Sequence, residues 1–249
     1  MLRTSDSVQP RIIIDGVNKT FTLRHTHSFK ESFIAKLQKK KTTTSFSALS
    51  DIGFTIQEGE SVALLGYNGS GKSTLLKLIS GVMRPDAGRI LTRGRVAGLI
   101  EVGAGFHPDL SGRENVYLNA AILGMNKDEI DQRFDDIVEF SEIGEFIDTE
   151  VKHYSSGMFV RLAFSVAIHT ELDILLVDEV LAVGDAPFRE KCKKKIKELT
   201  AQGKTMLVVS HDVDMVTQVC KRGVVLRDGK VRYDGTVEDA VAFMQSNGG

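Results

Sequence analysis

The stretch G-Y-N-G-S-G-K-S-T, residues 66–74, decides the fold of this chain. It matches the pattern G-x-x-x-x-G-K-[ST], with Gly66, Gly71, Lys72 and Ser73 at the required positions. A loop of this kind wraps its backbone N–H groups around phosphate oxygens, and the N-terminus of the helix that follows adds a partial positive charge. The sequence therefore predicts a nucleotide site in which Lys72 reaches the β- and γ-phosphates and Ser73 ligates Mg²⁺.

The flanking sequence supplies the context that this motif requires. An apolar run at residues 61–65 predicts a buried parallel strand, and residues 74–79 follow the loop with helical periodicity. Strand, glycine-rich loop and helix in this order argue against a chance glycine-rich turn. The predicted nucleotide-binding residues of the loop are Gly66, Asn68, Gly69, Ser70, Gly71, Lys72, Ser73 and Thr74.

Composition limits the class of protein. The chain has 249 residues, 42% of them hydrophobic, which is enough for one large domain with its own core. A net charge of −1 creates no global basic field, so we expect no nucleic-acid partner. Its two cysteines, Cys192 and Cys220, cannot form a disulfide framework and fit a reducing cytosol. No apolar run reaches membrane-spanning length and residues 1–10 lack a signal-peptide pattern, so we expect a cytoplasmic protein that can sit on a membrane protein.

The N-terminal part carries a strand and then an unusual basic segment. Residues 11–23 are predicted to form the strand, on which Phe21 either stacks on adenine or packs against the sheet. A capping box starts an amphipathic helix at 28–38, and a polar basic stretch follows it at 39–45. This helix suits a membrane surface or a lipid phosphate, or else it packs on its own domain with a solvated tail.

Two later apolar runs, at residues 174–177 and 205–210, are predicted to be buried parallel strands. Asp178 and Glu179 follow the first strand, at the sheet edge where Mg²⁺ and ATP sit. Asp178 is predicted to hold Mg²⁺ and Glu179 to orient the attacking water; the alternative is an exposed acidic turn. His211 follows the second strand and is predicted to contact the γ-phosphate.

The remaining segments complete an α/β pattern. Residues 113–146 predict an inserted helical lobe, and residues 191–199 predict a charged helix with a solvated face. The other predicted features are a strand at 46–57, one or two strands at 89–100, a hairpin around Asp228 and Gly229, and a last helix capped by Thr236 and Asp239.

Tyr154-Ser155-Ser156-Gly157-Met158 precedes an amphipathic helix at 159–169. The phosphate loop, this Ser/Gly motif, the aspartate–glutamate pair and the histidine occur in an order that resembles the ATP-binding cassette (ABC) ATPases over nearly the whole chain. The resemblance implies an α/β fold with a mixed-sheet core, an antiparallel β lobe and an inserted α-helical lobe. It divides a single domain, residues 1–249, into a β lobe and phosphate-loop core (11–100, with an insert at 22–47), a helical lobe (101–170) and the rest of the core (171–249).

In that family the Ser/Gly motif usually reads L-S-G-G-Q and binds the γ-phosphate of an ATP held by the opposite subunit. The resemblance gives the contacting hydroxyl to Ser155 and the close backbone approach to Gly157, with Ser156 between them. Ser156 replaces a glycine, and Met158 replaces the glutamine and cannot hydrogen-bond. Glu101 stands where the family has a glutamine that senses Mg²⁺, and its carboxylate can still be a metal ligand.

Three strings are similar to the ATPase subunits of polysaccharide exporters of the O-antigen, capsule and teichoic-acid type, and most similar to actinobacterial ones for cell-wall galactan. They are E-V-G-A-G-F-H-P-D-L-S-G-R-E-N from Glu101, Y-S-S-G-M from Tyr154 and V-D-E-V-L-A-V-G-D from Val177. Asp185 matches the family's aspartate that crosses the dimer interface.

The resemblance also implies partners. It predicts a homodimer that encloses two ATP molecules with Mg²⁺, two copies of an integral membrane permease docked near residues 101–115, and a lipid-linked glycan as the transported substrate. It places the protein at the cytoplasmic face of the membrane. The insert at 22–47 resembles a segment that faces the membrane entrance for the glycan. We expect no C-terminal carbohydrate-binding domain of the kind that some relatives carry.

Other classes fit the sequence less well. A soluble cassette ATPase that acts on ribosomes usually carries two cassettes, and one that acts on DNA has a long coiled coil where residues 74–154 leave room only for a lobe. A phosphate-loop GTPase needs N-K-x-D to read guanine, whereas residues 126–129 read N-K-D-E.

Overall fold

The structure, a computed structural model, describes residues 9–24, 43–98, 103, 105–178, 185–210 and 212–246. The predicted helix at 28–38 and the predicted site residues Glu101, Glu179 and His211 lie outside the described residues. Within the described ranges, no helix has the length and apolar character needed to cross a membrane.

Strands and helices are mixed along the chain, in the α/β pattern that the sequence predicts. The strands are β1 (Pro10–Arg24), β2 (Thr43–Gln57), β3 (Ser61–Leu65), β4 (Ala87–Thr92), β5 (Val96–Gly98), β6 (Ile174–Val177), β7 (Thr205–Val208), β8 (Arg222–Arg227) and β9 (Lys230–Thr236). The helices are α1 (Lys72–Ile79), α2 (Gly112–Ile122), α3 (Lys127–Ser141), α4 (Ser156–His169), α5 (Ala186–Ala201), α6 (Val213–Val219) and α7 (Val237–Ser246).

The first layer is a three-stranded antiparallel sheet in the order β2-β1-β4. Ile12, Ile14 and Val17 of β1 are buried and pack on the phosphate-loop helix and its strand within one apolar cluster. This sheet is the β lobe that the family resemblance implies.

The second layer is a six-stranded sheet in the order β5-β6-β7-β3-β8-β9. Its first five strands run parallel, and β9 pairs antiparallel with β8, so the sheet is mixed. Every residue of β3, β6 and β7 is buried, because helices and the β lobe cover both faces. The predicted stretch at 89–100 contributes to both sheets. Strand β4 belongs to the antiparallel sheet, whereas β5 belongs to the mixed sheet and pairs with β6.

Helices α2, α3 and α4 form the inserted lobe around a separate apolar cluster. Its fully buried members include Val116, Ile137 and Leu162. Asn126 caps α3 and forms a reciprocal capping box with Glu129. The N-K-D-E stretch at 126–129 is therefore a helix start, which explains why it resembles a guanine-reading motif only in sequence.

Helix α5 is longer and more buried than its lysines predict. It begins at Ala186, and Phe188, Cys192, Ile196 and Leu199 on one face are buried in the core. Lys191 is also engaged, because its ammonium donates to the Phe140 carbonyl and contacts Glu142.

The C-terminal hairpin turns at Asp228 and Gly229, which have φ values of 54° and 66°. Two consecutive positive φ values are typical of the tight turn that the sequence predicts. The Gly229 N–H donates to the Ser70 carbonyl at 3.2 Å, so the turn lies against the phosphate loop. Thr236 Oγ1 accepts from the Asp239 N–H and caps α7, as predicted.

Candidate functional site

The phosphate loop joins β3 to α1 in a conformation that requires glycine. Gly66 and Gly71 have φ values of 148° and 106°, in the region that side chains disfavour. A Cβ at Gly66 would collide with the Leu226 carbonyl oxygen, and one at Gly71 would lie 2.7 Å from the Ala48 carbonyl oxygen. Gly71 is also the N-cap of α1 and supplies no side-chain hydrogen bond, so the first turn of the helix faces the loop without a competing cap.

Lys72 lies beneath the loop rather than in solvent. Its side chain is 7% exposed, and its ammonium donates to the carbonyls of Gly66 at 2.7 Å and Tyr67 at 3.2 Å. These two bonds hold the charge inside the curve of the loop, where an anion would be bound. A buried cation with carbonyl partners, directed at a glycine-lined concavity, fits a phosphate ligand.

A cavity of about 280 Å³ opens over the loop. Six of the eight predicted loop residues line it, while Gly66 and Ser70 are buried below it. Phe21 lies on its wall, as the adenine-stacking alternative requires. The cavity is lined by Phe21, Phe46, Ala48, Asn68, Gly69, Gly71, Lys72, Ser73 and Thr74.

The second aromatic on this wall, Phe46, was not predicted from the sequence. It is 52% exposed and is the direct cross-strand partner of Phe21 in the β1–β2 pairing. Directly opposed residues project from the same face of a sheet, so the two rings stand side by side over the loop. Only the strand register could have identified Phe46, because nothing in its local sequence sets it apart.

Sheet topology brings Asp178 to the edge that carries the phosphate loop. Asp178 follows β6 directly, and the loop follows β3, which runs parallel to β6 with β7 between them. The C-terminal ends of β6 and β7 are level, because Val177 pairs with Val208. Asp178 is therefore at the carboxyl edge of the sheet, as predicted, and a carboxylate there fits a magnesium ligand.

The Ser/Gly motif forms a different cavity, of about 500 Å³. Ser155 is the exposed N-cap of α4, and its Oγ accepts from the Met158 N–H at 3.2 Å. Its hydroxyl proton remains available to donate to an anion. The cavity is lined by Glu142, Ile143, Phe146, Ser155, Ser156, Gly157, Met158, Val160, Arg161 and Asp185.

Asp185 lies beside this motif and caps α5. Its carboxylate accepts from the Phe188 N–H at 3.3 Å and from the Arg161 guanidinium at 2.7 Å. Partial burial works to raise the pKa of Asp185, but the Phe188 N–H and the Arg161 charge outweigh it, so the pKa is lowered. Arg161 also pairs with Glu142 at 2.8 Å, and its guanidinium lies 4.9 Å from the Phe188 ring centroid. Arg161 was not predicted as a site residue.

Comparison with known proteins agrees with this geometry. Residues 49–182 match the model of the family described as ABC transporter. An O-antigen export system ATP-binding protein, RfbB of Klebsiella pneumoniae, is 51% identical over 193 residues, which are 78% of each chain. A teichoic acids export ATP-binding protein, TagH of Listeria monocytogenes serotype 4b, is 41% identical over 92% of this chain and 68% of its own.

The fold agrees as well. The ATP-binding subunit of an ABC transporter superposes with a TM-score of 0.75 at 22% identity, covering 96% of this chain and 95% of the other. The sequence-based prediction of the fold is thereby confirmed. The phosphate loop, the mixed sheet with its helical lobe, and these matches establish that the chain belongs to the ABC transporter family, as an ATP-hydrolysing subunit.

Proposed function

We propose that this chain is the ATPase subunit of an exporter that moves a lipid-linked polysaccharide across the cytoplasmic membrane. It works as a homodimer at the cytoplasmic face of that membrane, bound to two copies of an integral membrane permease. The names of RfbB and TagH support the export of a cell-surface glycan. The helical lobe, with residues 101–115, is the surface on which the permease docks.

One observation carries the homodimer. The phosphate-loop cavity and the Ser155 cavity have no lining residue in common among the described residues. Because the two cavities are separate sites on one chain, we infer that an ATP on the loop takes its Ser155 contact from a second copy, as the family resemblance implies. The Ser155 hydroxyl and the N-terminus of α4 supply donors for a γ-phosphate, and ATP then favours the closed dimer by bonds that exist only there.

The candidate site residues have distinct parts in this reaction. Lys72 exchanges its carbonyl partners for β- and γ-phosphate oxygens, and the first turn of α1 donates N–H bonds to them. Phe21 and Phe46 hold the base. Ser73 and Asp178, with Glu101 as a further ligand, would hold Mg²⁺, which would supply positive charge against the developing charge on the phosphates. Glu179 orients and polarises the attacking water, and His211 contacts the γ-phosphate.

A pair of variants tests this assignment. Glu179→Gln is expected to bind ATP and dimerise but to hydrolyse it orders of magnitude more slowly, because the amide cannot accept the proton of the water. Lys72→Ala is expected to lose nucleotide affinity before dimerisation. Nucleotide binding, sedimentation and steady-state ATPase rates separate the two. A normal turnover rate in Glu179→Gln, or unchanged ATP binding in Lys72→Ala, would contradict the assignment.

The export role needs a separate measurement. The subunit, captured from detergent-solubilised native membranes, is expected to carry a polytopic membrane protein in equal amount. Capture of ribosomes or DNA instead would identify a soluble cassette ATPase.

A further inference from the structure

Two segments of the helical lobe, one leading into α2 and one between α3 and α4, pair with each other through their backbones. Residues 108–113 belong to the predicted permease-facing stretch at 101–115, and residues 147–152 lie just before the Ser155 motif. Ser111 and Glu150 form an antiparallel bridge between the segments. Four backbone bonds join them: Gly112 N to Thr149 O (3.1 Å), Arg113 N to Ile147 O (2.7 Å), Val151 N to Leu110 O (2.9 Å) and Lys152 N to Pro108 O (2.9 Å).

Asn115 fixes the shape of the first segment. It is fully buried, accepts from the His107 N–H at 2.7 Å, and donates to the carbonyls of His107, Leu110 and Ser111. An amide with this many bonds holds the backbone at 107–111 in one conformation. The segment therefore moves as a unit.

Tyr154 closes the connection at the other end. Its hydroxyl donates to the Phe146 carbonyl at 2.7 Å. A Cβ on Gly112 would collide with the hydroxyl oxygen of Tyr154. Burial, and then the charge of Asp148, raise the pKa of Tyr154, so the phenol keeps its proton and remains a donor. Tyr154 occupies the first position of the Ser/Gly motif, where the family usually has leucine, which cannot make this bond.

We propose that Tyr154 is a positioning residue that couples the permease-facing segment to Ser155. Ser155 follows Tyr154 directly and starts α4, so a shift of residues 107–113 reaches the serine through the paired backbone and the phenol. The coupling sets how well Ser155 meets the ATP of the opposite subunit. This inference rests on the homodimer proposed above.

The first test removes the Tyr154 hydroxyl group. Tyr154→Phe, in the Glu179→Gln background, is expected to raise the ATP concentration for half-maximal dimerisation about five-fold, the effect of one hydrogen bond. Nucleotide affinity of the monomer should be unchanged, since the phosphate loop is intact. Tyr117→Phe is the matched control: it removes the phenol that donates to Asp131 in the same lobe, and it should leave dimerisation unaltered.

The second test perturbs the segment itself. Gly112→Ala is expected to weaken dimerisation by displacing the phenol, and Tyr154→Phe should restore part of the loss, because it removes the colliding oxygen. The inference would be overturned if the losses of dimerisation simply added in the double variant. It would also be overturned if Tyr154→Phe lowered the melting temperature but dimerised normally. Absence of ATP-driven dimerisation in the Glu179→Gln parent would instead contradict the proposed homodimer.

Discussion

At the scale of single residues, the proposed base-binding wall consists of Phe21 and Phe46, and only Phe21 can be predicted from the sequence. Phe21 precedes the phosphate loop on a predicted strand and was identified as a stacking candidate. Phe46 becomes its neighbour only because β1 and β2 pair in one register. Two aromatic rings side by side offer a larger stacking surface than either alone.

We therefore expect Phe46→Ala to weaken ATP binding by about two- to ten-fold, the range of an aromatic stacking contribution, and Phe21→Ala to do the same. Equilibrium titration of the monomer with a fluorescent ATP analogue measures both. Phe146→Ala is the control, since Phe146 is similarly exposed, at 48%, but lines the other cavity. Equal affinity in Phe46→Ala and the parent would exclude Phe46 from the site.

At the scale of secondary-structure elements, Asp185 connects two helices. It caps α5 through the Phe188 N–H and pairs with Arg161 of α4. The same Arg161 contacts Glu142 after α3, so one guanidinium bridges the lobe and the core. The cap and the ion pair contribute separately to stability, and substitution can separate them.

Asp185→Asn keeps an N-cap acceptor and loses the charge, so the free energy of unfolding should fall only slightly, as for other exposed ion pairs. Asp185→Ala loses both the acceptor and the charge, so its free energy of unfolding should fall clearly further than that of Asp185→Asn. Urea unfolding measures the difference. Equal losses for the two variants would mean that the cap contributes nothing.

At the scale of the whole molecule, the reactivity of the two cysteines can be used to test whether the core is packed as the structure shows. Cys192 and Cys220 are both buried in the largest apolar cluster, and burial raises the pKa of each thiol to about 12. The thiolate is the reactive form of cysteine. The fold therefore protects both residues from alkylation in two ways, because burial blocks the reagent and because the raised pKa keeps the thiols protonated.

The native chain at pH 8 is therefore expected to resist alkylation, while both thiols react in denaturant. The folded state holds these protons to a higher pH than the unfolded state, whose thiols titrate near 9.0. Stability should accordingly decline as pH rises from about 9 towards 12. Mass spectrometry of iodoacetamide-treated protein provides the measurement. Native labelling as fast as in denaturant would contradict the buried positions.

A feature of the fold or of the site could be predicted from the sequence when the residues that form it are close together in the chain. The phosphate loop, its strand and helix, and the carboxylate after β6 are each encoded within a few consecutive residues, and the structure has all of them where predicted. Phe46, Arg161 and the Tyr154 phenol owe their positions to partners on other elements. Their roles depend on register and packing, which no local pattern records.

The position of β3 in the sheet has a consequence for synthesis on the ribosome. The strand that leads into the phosphate loop is made early, yet Ser61 pairs with Met206 and Val62 with Arg222. Until both neighbours have been translated, the nascent chain carries the complete loop motif with no strand on either side to shape it. A chain that is truncated before residue 205 is therefore expected to contain the motif, to leave the apolar edges of β3 unpaired, and to bind no ATP.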